Sequence, residues 1–415
     1  MRPVEESSVE PCTTTVSGRT QAGVEPADDD APVIRLVEAV VGEALERRAS
    51  DIHLEPLAQR FRVRYRIDGV LQTAEDLPPL LQRPVVSRLK IMANMNIAEK
   101  RLPQDGRARV RLQGRTVDLR ISVLPAVHGE SMVVRLLEPE KIRLGVAELG
   151  LDGADQKAFA RLLTLPDGIV LVTGPTGSGK TTTLYACLHD LNKPDRKIIT
   201  VEDPVEYQLA GINQVPVQGA VGMTFAAALR AILRQAPNIV MVGEIRDRET
   251  AEMAINAALT GHLVLSTLHT QDAPGAVTRL FDLGVKPFLV ASALRAVVAQ
   301  RLVRRLCARC GRPGPAAPSV PRDEPGLAQP AMEETACAPC GGTGYAGRVG
   351  IFEFLTITPV LQRLIYERTG TTLLRREACA LGMCTLREDG LRKVRAGLTS
   401  REEVLAATVA DANGS

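Results

Sequence analysis

The 415-residue chain has no tryptophan, and phenylalanine, tryptophan and tyrosine together make up 3% of it. Proteins that grip single-stranded nucleic acid stack bases on aromatic rings, and this chain has few to offer. Charge of one sign is also scarce. Lys and Arg number 51 against 48 Asp and Glu, leaving +3, too little at this length to support a nucleic-acid coat or a strongly membrane-seeking surface. No apolar run approaches the roughly 18 residues of a membrane span. The opening MRPVEESSVE lacks the basic and then apolar pattern of a secretory signal. The expectation is a cytoplasmic protein with no transmembrane segment and no nucleic-acid partner. In that reducing compartment its eight cysteines read as metal ligands or buried thiols, and their spacing decides which.

The length suggests two to four domains. Residues 1–30, rich in Ser, Thr, Pro, Glu and Asp, read as a disordered leader. From Val33, VIRLVEAVVGEALERRAS has the three-and-four spacing of an amphipathic helix closed by Ala49 and Ser50. Alternating stretches follow (DIHLE, RFRVRYRIDG, RARVRLQGRTVDLRISVLP, ESMVVRLLE), together with the helical VVSRLKIMANMNIAE. They predict an α+β domain over 31–145. Over 146–306 short all-apolar strands (IVLVTG, KIITVED, NIVMVGE, HLVLSTLH) alternate with helical segments, the pattern of a parallel α/β sheet. Residues 311–336 hold six prolines and form a loop between cysteine pairs. From IFEFLTITPVLQRLIYERTG onward, 341–415 reads as a helical region, with a helical pair joined at Gly397 near its end.

GPTGSGKTTT follows the strand IVLVT and opens a helix, matching G-x-x-x-x-G-K-[ST]. Gly174, Pro175, Thr176, Gly177, Ser178, Gly179, Lys180, Thr181 and Thr182 are the expected nucleotide-binding run. Glycines let successive backbone N–H groups turn inward around phosphate oxygens, and the helix N-terminus adds its positive dipole end. Lys180 is expected on the β- and γ-phosphates of ATP, and Thr181 on Mg²⁺. Two further strands end in acids, Glu202 and Asp203 in VEDPVE and Glu244 in MVGE. Ligands of open parallel sheets sit beyond the carboxyl ends of the strands. Phosphoryl transfer needs one carboxylate for the metal shell and another for the attacking water. His269, at the end of GHLVLSTLHT, is placed to sense the γ-phosphate or donate to a water; His262 stands at its start.

Cys307 and Cys310 in CARC and Cys337 and Cys340 in CAPC are two C-x-x-C pairs, spaced to bring four thiolates around one tetrahedral zinc ion. All-sulfur ligation leaves no open position, so the site is expected to be structural. Cys12, Cys187, Cys379 and Cys384 lack partners at ligand spacing.

GPTGSGKTTT, TVEDPVE, VGEIRDRETAEMAINAALTGHLVLSTLHT and the cysteine pairs together resemble the type II secretion and type IV pilus assembly ATPases, the GspE/PilB family of hexameric motors. ASDIHLEP, YRIDGVL and AEKRLPQDGR extend the resemblance to about residues 33–400. It implies a RecA-like P-loop domain behind an α+β domain, followed by a zinc-binding insertion and a helical region. Among site residues it implies Lys180 and Thr181 on phosphate and Mg²⁺, Glu202 as catalytic acid and Glu244 as the Walker B carboxylate. His262 and His269 become the His-box pair, and Arg120, Arg135, Arg230 and Arg234 lie around the nucleotide. Arg230 and Arg234 are four apart on a predicted helix and so share a face. The implied partners are copies of itself, as a homohexamer, and the inner-membrane platform of a secretion or pilus system.

Two departures stand out. Larger relatives place a platform-docking domain ahead of the matched segment, which this chain is expected to lack, and Ala236 and Asn238 stand where the family usually has acids. The second departure keeps open a nucleotide-binding assembly factor with little turnover; the cysteine pairs alone would also permit a zinc-ribbon P-loop nucleic-acid motor.

Overall fold

The computed structural model describes residues 31–112, 114–137, 145–311, 337 and 339–408. The expected leader, with Cys12, and most of the proline-rich loop lie outside the described residues. Among the described residues no helix is long and apolar enough to cross a membrane.

The first unit runs α1 (Ala31–Glu46), β1 (Ala49–Pro56), β2 (Phe61–Ile67), β3 (Val70–Thr73), α2 (Gln82–Met92), β4 (Gln104–Leu112), β5 (Arg115–Ala126) and β6 (Gly129–Leu137). Its six strands form one antiparallel sheet in the order β3-β2-β1-β6-β5-β4. Alternation makes this sheet two-faced. Phe61, Val63 and Tyr65 of β2 and Leu119, Ile121 and Val123 of β5 are buried in one core with Val37, Val41 and Ala44 of α1, leaving Arg62, Arg64, Arg66 and Arg120 on the opposite side. Two local expectations change. Arg48 adopts a left-handed conformation (φ 57°), so Ala49 and Ser50 open β1 and do not close α1. The helix expected through Glu99 stops at Met92. Beyond it the chain folds over buried Lys90, whose Nζ donates to the Glu99 carbonyl at 2.8 Å and pairs with Glu130.

The second unit continues with α3 (Gly153–Leu162), β7 (Gly168–Thr173), α4 (Lys180–Leu191), β8 (Ile198–Glu202), β9 (Asn213–Pro216), α5 (Phe225–Ile232), β10 (Ile239–Val242), α6 (Arg248–Leu259), β11 (Leu263–Leu268), α7 (Ala273–Asp282), α8 (Pro287–Ala293), β12 (Leu294–Leu306) and β13 (Tyr345–Thr356). Four helices close the described chain: α9 (Pro359–Tyr366), α10 (Thr371–Ala380), α11 (Leu386–Arg395) and α12 (Arg401–Thr408). Seven strands form a sheet in the order β13-β12-β7-β11-β10-β8-β9. β12, β7, β11, β10, β8 and β9 run parallel to one another, and β13 is antiparallel to β12. Every residue of β7, β8, β10 and β11 is buried. Helices cover both faces, so these strands read as unbroken apolar runs.

β13 corrects the helical reading of IFEFLT. Gly350–Thr356 pair residue by residue with β12, and the run of buried positions from Gly350 to Leu355 carries neither helical nor alternating period. The cysteine segment is thus inserted between two strands of the motor sheet, and the helical region starts at Pro359. Its last pair, α11 and α12, is separated at Gly397 (φ 69°), as the sequence pattern has it.

Candidate active site

β7 delivers the chain to Gly174 at the carboxyl edge of the sheet, and α4 begins at Lys180. Between them Gly174, Gly177 and Gly179 all have positive φ. At two positions space also forbids a side chain. A Cβ on Gly174 would lie 2.5 Å from the Gln300 carbonyl, and one on Gly179 would lie 2.8 Å from Gln300 Nε2. Gln300 on β12 therefore forms the floor of the loop, tied to α4 by a 2.7 Å hydrogen bond from Thr183 Oγ1. Pro175, Thr176, Gly177, Thr181 and Thr182 are exposed along its rim. Ser178 Oγ is buried with no hydrogen-bond partner, and Lys180 Nζ donates to the loop's own Gly174 and Pro175 carbonyls at 2.7 and 2.9 Å. An orphaned hydroxyl and an ammonium folded onto backbone carbonyls suit a polyphosphate that would accept from both. Burial brings Lys180 down to about 8, with Arg301 adding to the effect and Glu244 opposing it.

Glu244 lies just beyond β10. Its carboxylate pairs with Arg246 at 2.6 Å and with His269 Nε2 at 3.3 Å. His269 follows β11, so adjacent parallel strands bring acid and imidazole together at the edge that carries Lys180. His262 is at the other end. Its carbonyl accepts from Gly168 N at the start of β7 (3.1 Å) and its ring faces the Ala257 carbonyl, one strand length from the phosphate loop.

Glu202, at the carboxyl end of β8, is buried. Its carboxylate is 3% exposed and fully engaged: Tyr185 Oη donates to Oε2 at 2.5 Å, and Thr200 Oγ1 and Gln214 Nε2 donate to Oε1 at 2.7 and 3.1 Å. It ties α4 to β8 and β9. Two further acids of that motif are accessible: Asp203 is exposed, and Glu206, 26% exposed, lies 3.8 Å from Arg120 Nη1 of the first unit. The third acid in VEDPVE, after Glu202 and Asp203, is the residue that sequence reasoning left unassigned.

Arg120 and Arg135 are direct cross-strand neighbours on β5 and β6. Arg135 pairs with Asp51 of β1 at 2.9 Å, and Arg107 stands opposite Arg120 on β4. The row faces the second unit. Arg230 and Arg234 are not part of this cluster. Both are exposed, Arg230 on α5 paired with Glu249 and Arg234 on the following 3-10 turn, donating to the Arg230 carbonyl at 2.9 Å. Ala236 (φ 48°) and Asn238 lie at the amino ends of the strands, where Asn238 Oδ1 accepts from Lys197 N at 2.7 Å.

The four cysteine sulfurs lie within 4.8 Å of one another, with Cys307–Cys337 at 3.7 Å and Cys310–Cys340 at 3.6 Å. Tetrahedral zinc with bonds of ~2.3 Å separates its sulfurs by ~3.8 Å, so the quartet fits that ion. Burial opposes ionisation of Cys307, yet backbone N–H groups of Cys310 and Arg309 outweigh it and bring the thiol to about 7. Cys187, Cys379 and Cys384 are single free thiols.

Fold and site together define a RecA-like P-loop ATPase. A model of the family described as "Type II/IV secretion system protein" matches residues 26–406. The chain is 48% identical over 393 residues to the type IV pilus assembly ATPase PilB of Myxococcus xanthus, covering 93% of this chain and 69% of that protein. To the type II secretion system ATPase E of Vibrio cholerae it is 49% identical over 389 residues, covering 92% and 76%. Among solved structures the pilus retraction motor PilT with bound ADP aligns at a TM-score of 0.61 and 27% identity, covering 89% of this chain and 96% of that one. The Legionella pneumophila ATPase DotB shares the fold at a TM-score of 0.67 and 20% identity, covering 91% and 96%. The chain belongs to the type II/IV secretion system ATPase family.

Proposed function

We propose that this chain is an Mg²⁺-dependent ATPase that works as a cytoplasmic homohexameric motor, peripheral at the inner membrane, and powers assembly of a type II secretion pseudopilus or a type IV pilus through that system's platform proteins. The observation that carries the reading is the meeting of the phosphate loop with the Glu244–His269 pair at one sheet edge, in a chain close to half identical to ATPases of both systems.

Lys180 holds the β- and γ-phosphates, and the loop N–H groups with Ser178 Oγ wrap the polyphosphate. Thr181 and Glu244 hold Mg²⁺, which supplies charge neutralisation between the phosphates. His269, 3.3 Å from Glu244, faces the γ-phosphate. Glu206 orients the attacking water, since it is accessible beside Arg120 and Glu202 is buried. Arg120 and Arg135 approach from the first unit (31–145), so a change in its angle to the motor (146–306, completed by β13) is the stroke. Arg230 and Arg234, exposed on the outer flank, suit a neighbouring subunit's nucleotide. Zinc on Cys307, Cys310, Cys337 and Cys340 closes the 307–340 insertion as a structural knuckle.

Steady-state hydrolysis of Mg-ATP by the purified full chain tests the reading. Turnover is expected to be lost in Lys180→Ala and Glu244→Gln, with hexamers seen by light scattering and one zinc per chain by elemental analysis. Tight nucleotide binding with no turnover, even with platform proteins present, would instead support the assembly-factor reading.

A further inference from the structure

His269 is 48% exposed, so its own packing does little to hold the ring, and its aim at Glu244 depends on the backbone that carries it. That backbone, 269–273, is tied down on several sides. From β7, Thr173 Oγ1 lies 2.7 Å from Thr270 Oγ1 and accepts from Thr270 N at 2.9 Å. From β12, Arg301 Nη2 donates to the Gln271 carbonyl at 2.6 Å and to Gln271 Oε1 at 2.8 Å. From β13, Glu353 Oε1 accepts from Ala273 N at 2.8 Å. From α10, Arg375 pairs with Asp272 and lies 4.0 Å from Glu353.

Arg301 is 8% exposed and Glu353 is not exposed at all. A buried charge is costly unless paired and hydrogen-bonded, and apolar side chains of similar volume often serve stability as well or better. Here both buried charges direct bonds at one five-residue segment. The strands that bear them, β12 and β13, are also the two arms from which the tetracysteine insertion springs.

We propose that Arg301 and Glu353 are positioning residues for ATP hydrolysis: they hold the 269–273 segment so that His269 meets Glu244, and thereby tie the hairpin bearing the metal knuckle to the hydrolytic edge. This rests on the ATPase reading above. Arg301 also adds positive charge beside Lys180, but its bonds run to Gln271 and backbone, and its effect on phosphate affinity is secondary.

The test is a double-mutant cycle on the full-length protein. Arg301→Lys keeps the charge and loses the paired bonds, and Glu353→Gln keeps an acceptor for Ala273 N while removing the charge. Each is made alone and with His269→Asn, and steady-state ATP turnover, fluorescent ADP binding and thermal unfolding are measured. A displaced catalytic group costs up to roughly 100-fold. The expectation is a 10- to 100-fold loss of kcat with the ATP KM and ADP affinity within about twofold, and little further loss once His269 is gone, because the residues act as a unit. The exposed Gln271→Ala, which removes only a side-chain acceptor, should show a smaller loss with the same coupling even if a buried variant fails to fold. Losses that multiply fully in the His269→Asn background, or wild-type kcat with only a lowered Tm, would overturn the positioning role alone. Absence of Lys180-dependent turnover in the wild type would overturn the ATPase reading and this inference together.

Discussion

The two sheets present chemistry in opposite ways. The central parallel strands β7, β8, β10 and β11 are buried on both faces, so the groups placed to meet a nucleotide do not lie along their length. Everything reactive stands where the strands stop: Gly174 after β7, Glu244 after β10, His269 after β11. The antiparallel sheet has one buried face and one open face, and its arginines stand in register across strands, Arg107 beside Arg120 beside Arg135 beside Asp51. A site at strand ends is built from loops that converge. A site on a sheet face is set by cross-strand pairing, and a one-residue slip would turn it into the core. A nucleotide between the two would be held by an edge and covered by a face.

The sharpest way to break the comparison is at VEDPVE, where end and core compete within five residues. Glu206→Gln should lower kcat by roughly 10²–10⁴-fold, the range for a lost general base, with thermal unfolding unchanged. Glu202→Gln should lower Tm by disturbing the Tyr185, Thr200 and Gln214 bonds, with a smaller effect on turnover. The reverse pattern in paired kinetic and calorimetric measurements would put the water-facing acid back in the sheet.

Next in size is the face itself. Arg135→Ala should cost about 10-fold in kcat/KM if the row covers the phosphates. Arg111→Ala, four residues along β4 from Arg107 and opposite Thr116 rather than Arg120, should leave kinetics alone. Equal effects would mean that net charge, not register, matters. Ionic-strength dependence of KM for the two variants separates the cases.

The knuckle belongs to neither sheet's face, and its removal should act through β12 and β13. Chelation, or Cys307→Ser, should release zinc and lower Tm by several degrees, since metal binding contributes folding free energy. Calorimetry with zinc assay checks this, and unchanged Tm after full zinc loss would show the hairpin to be self-sufficient.

The smallest effect is in pH. Lys180 is held at about 8 in the empty protein against an ordinary 10.5. The unfolded chain therefore keeps that proton longer, and the empty protein gains stability as pH rises from about 8 toward 10.5. Phosphate binding needs the ammonium, so nucleotide affinity should fall above about pH 8, by up to roughly tenfold per pH unit. Proton uptake should accompany binding, and calorimetry in buffers of different ionisation enthalpy reads both.

Much of this was legible in order of residues. The central strands announce themselves because burial on both faces makes them continuous apolar runs, and the phosphate loop because glycines recur where a side chain cannot fit. The quartet is legible because zinc dictates the spacing of its ligands. β13 was not, since a short apolar run has no period to distinguish strand from helix; only pairing with β12 decided it. Helix ends slipped where a single left-handed residue, Arg48, redirected the chain.

By itself, then, the sequence determined the parallel motor fold, the loop for phosphate, Glu244 with His269 and the four cysteines, since each is a local pattern tied to one physical need. Tertiary structure alone decided that Glu202 of VEDPVE is buried, because Tyr185 and Gln214 arrive from other elements to bond it. It alone placed His262 a strand's length from the phosphates and drew Arg301 and Glu353 from distant strands onto the segment that aims His269. Burial and hydrogen bonding between segments far apart in the chain leave no periodic trace in either segment.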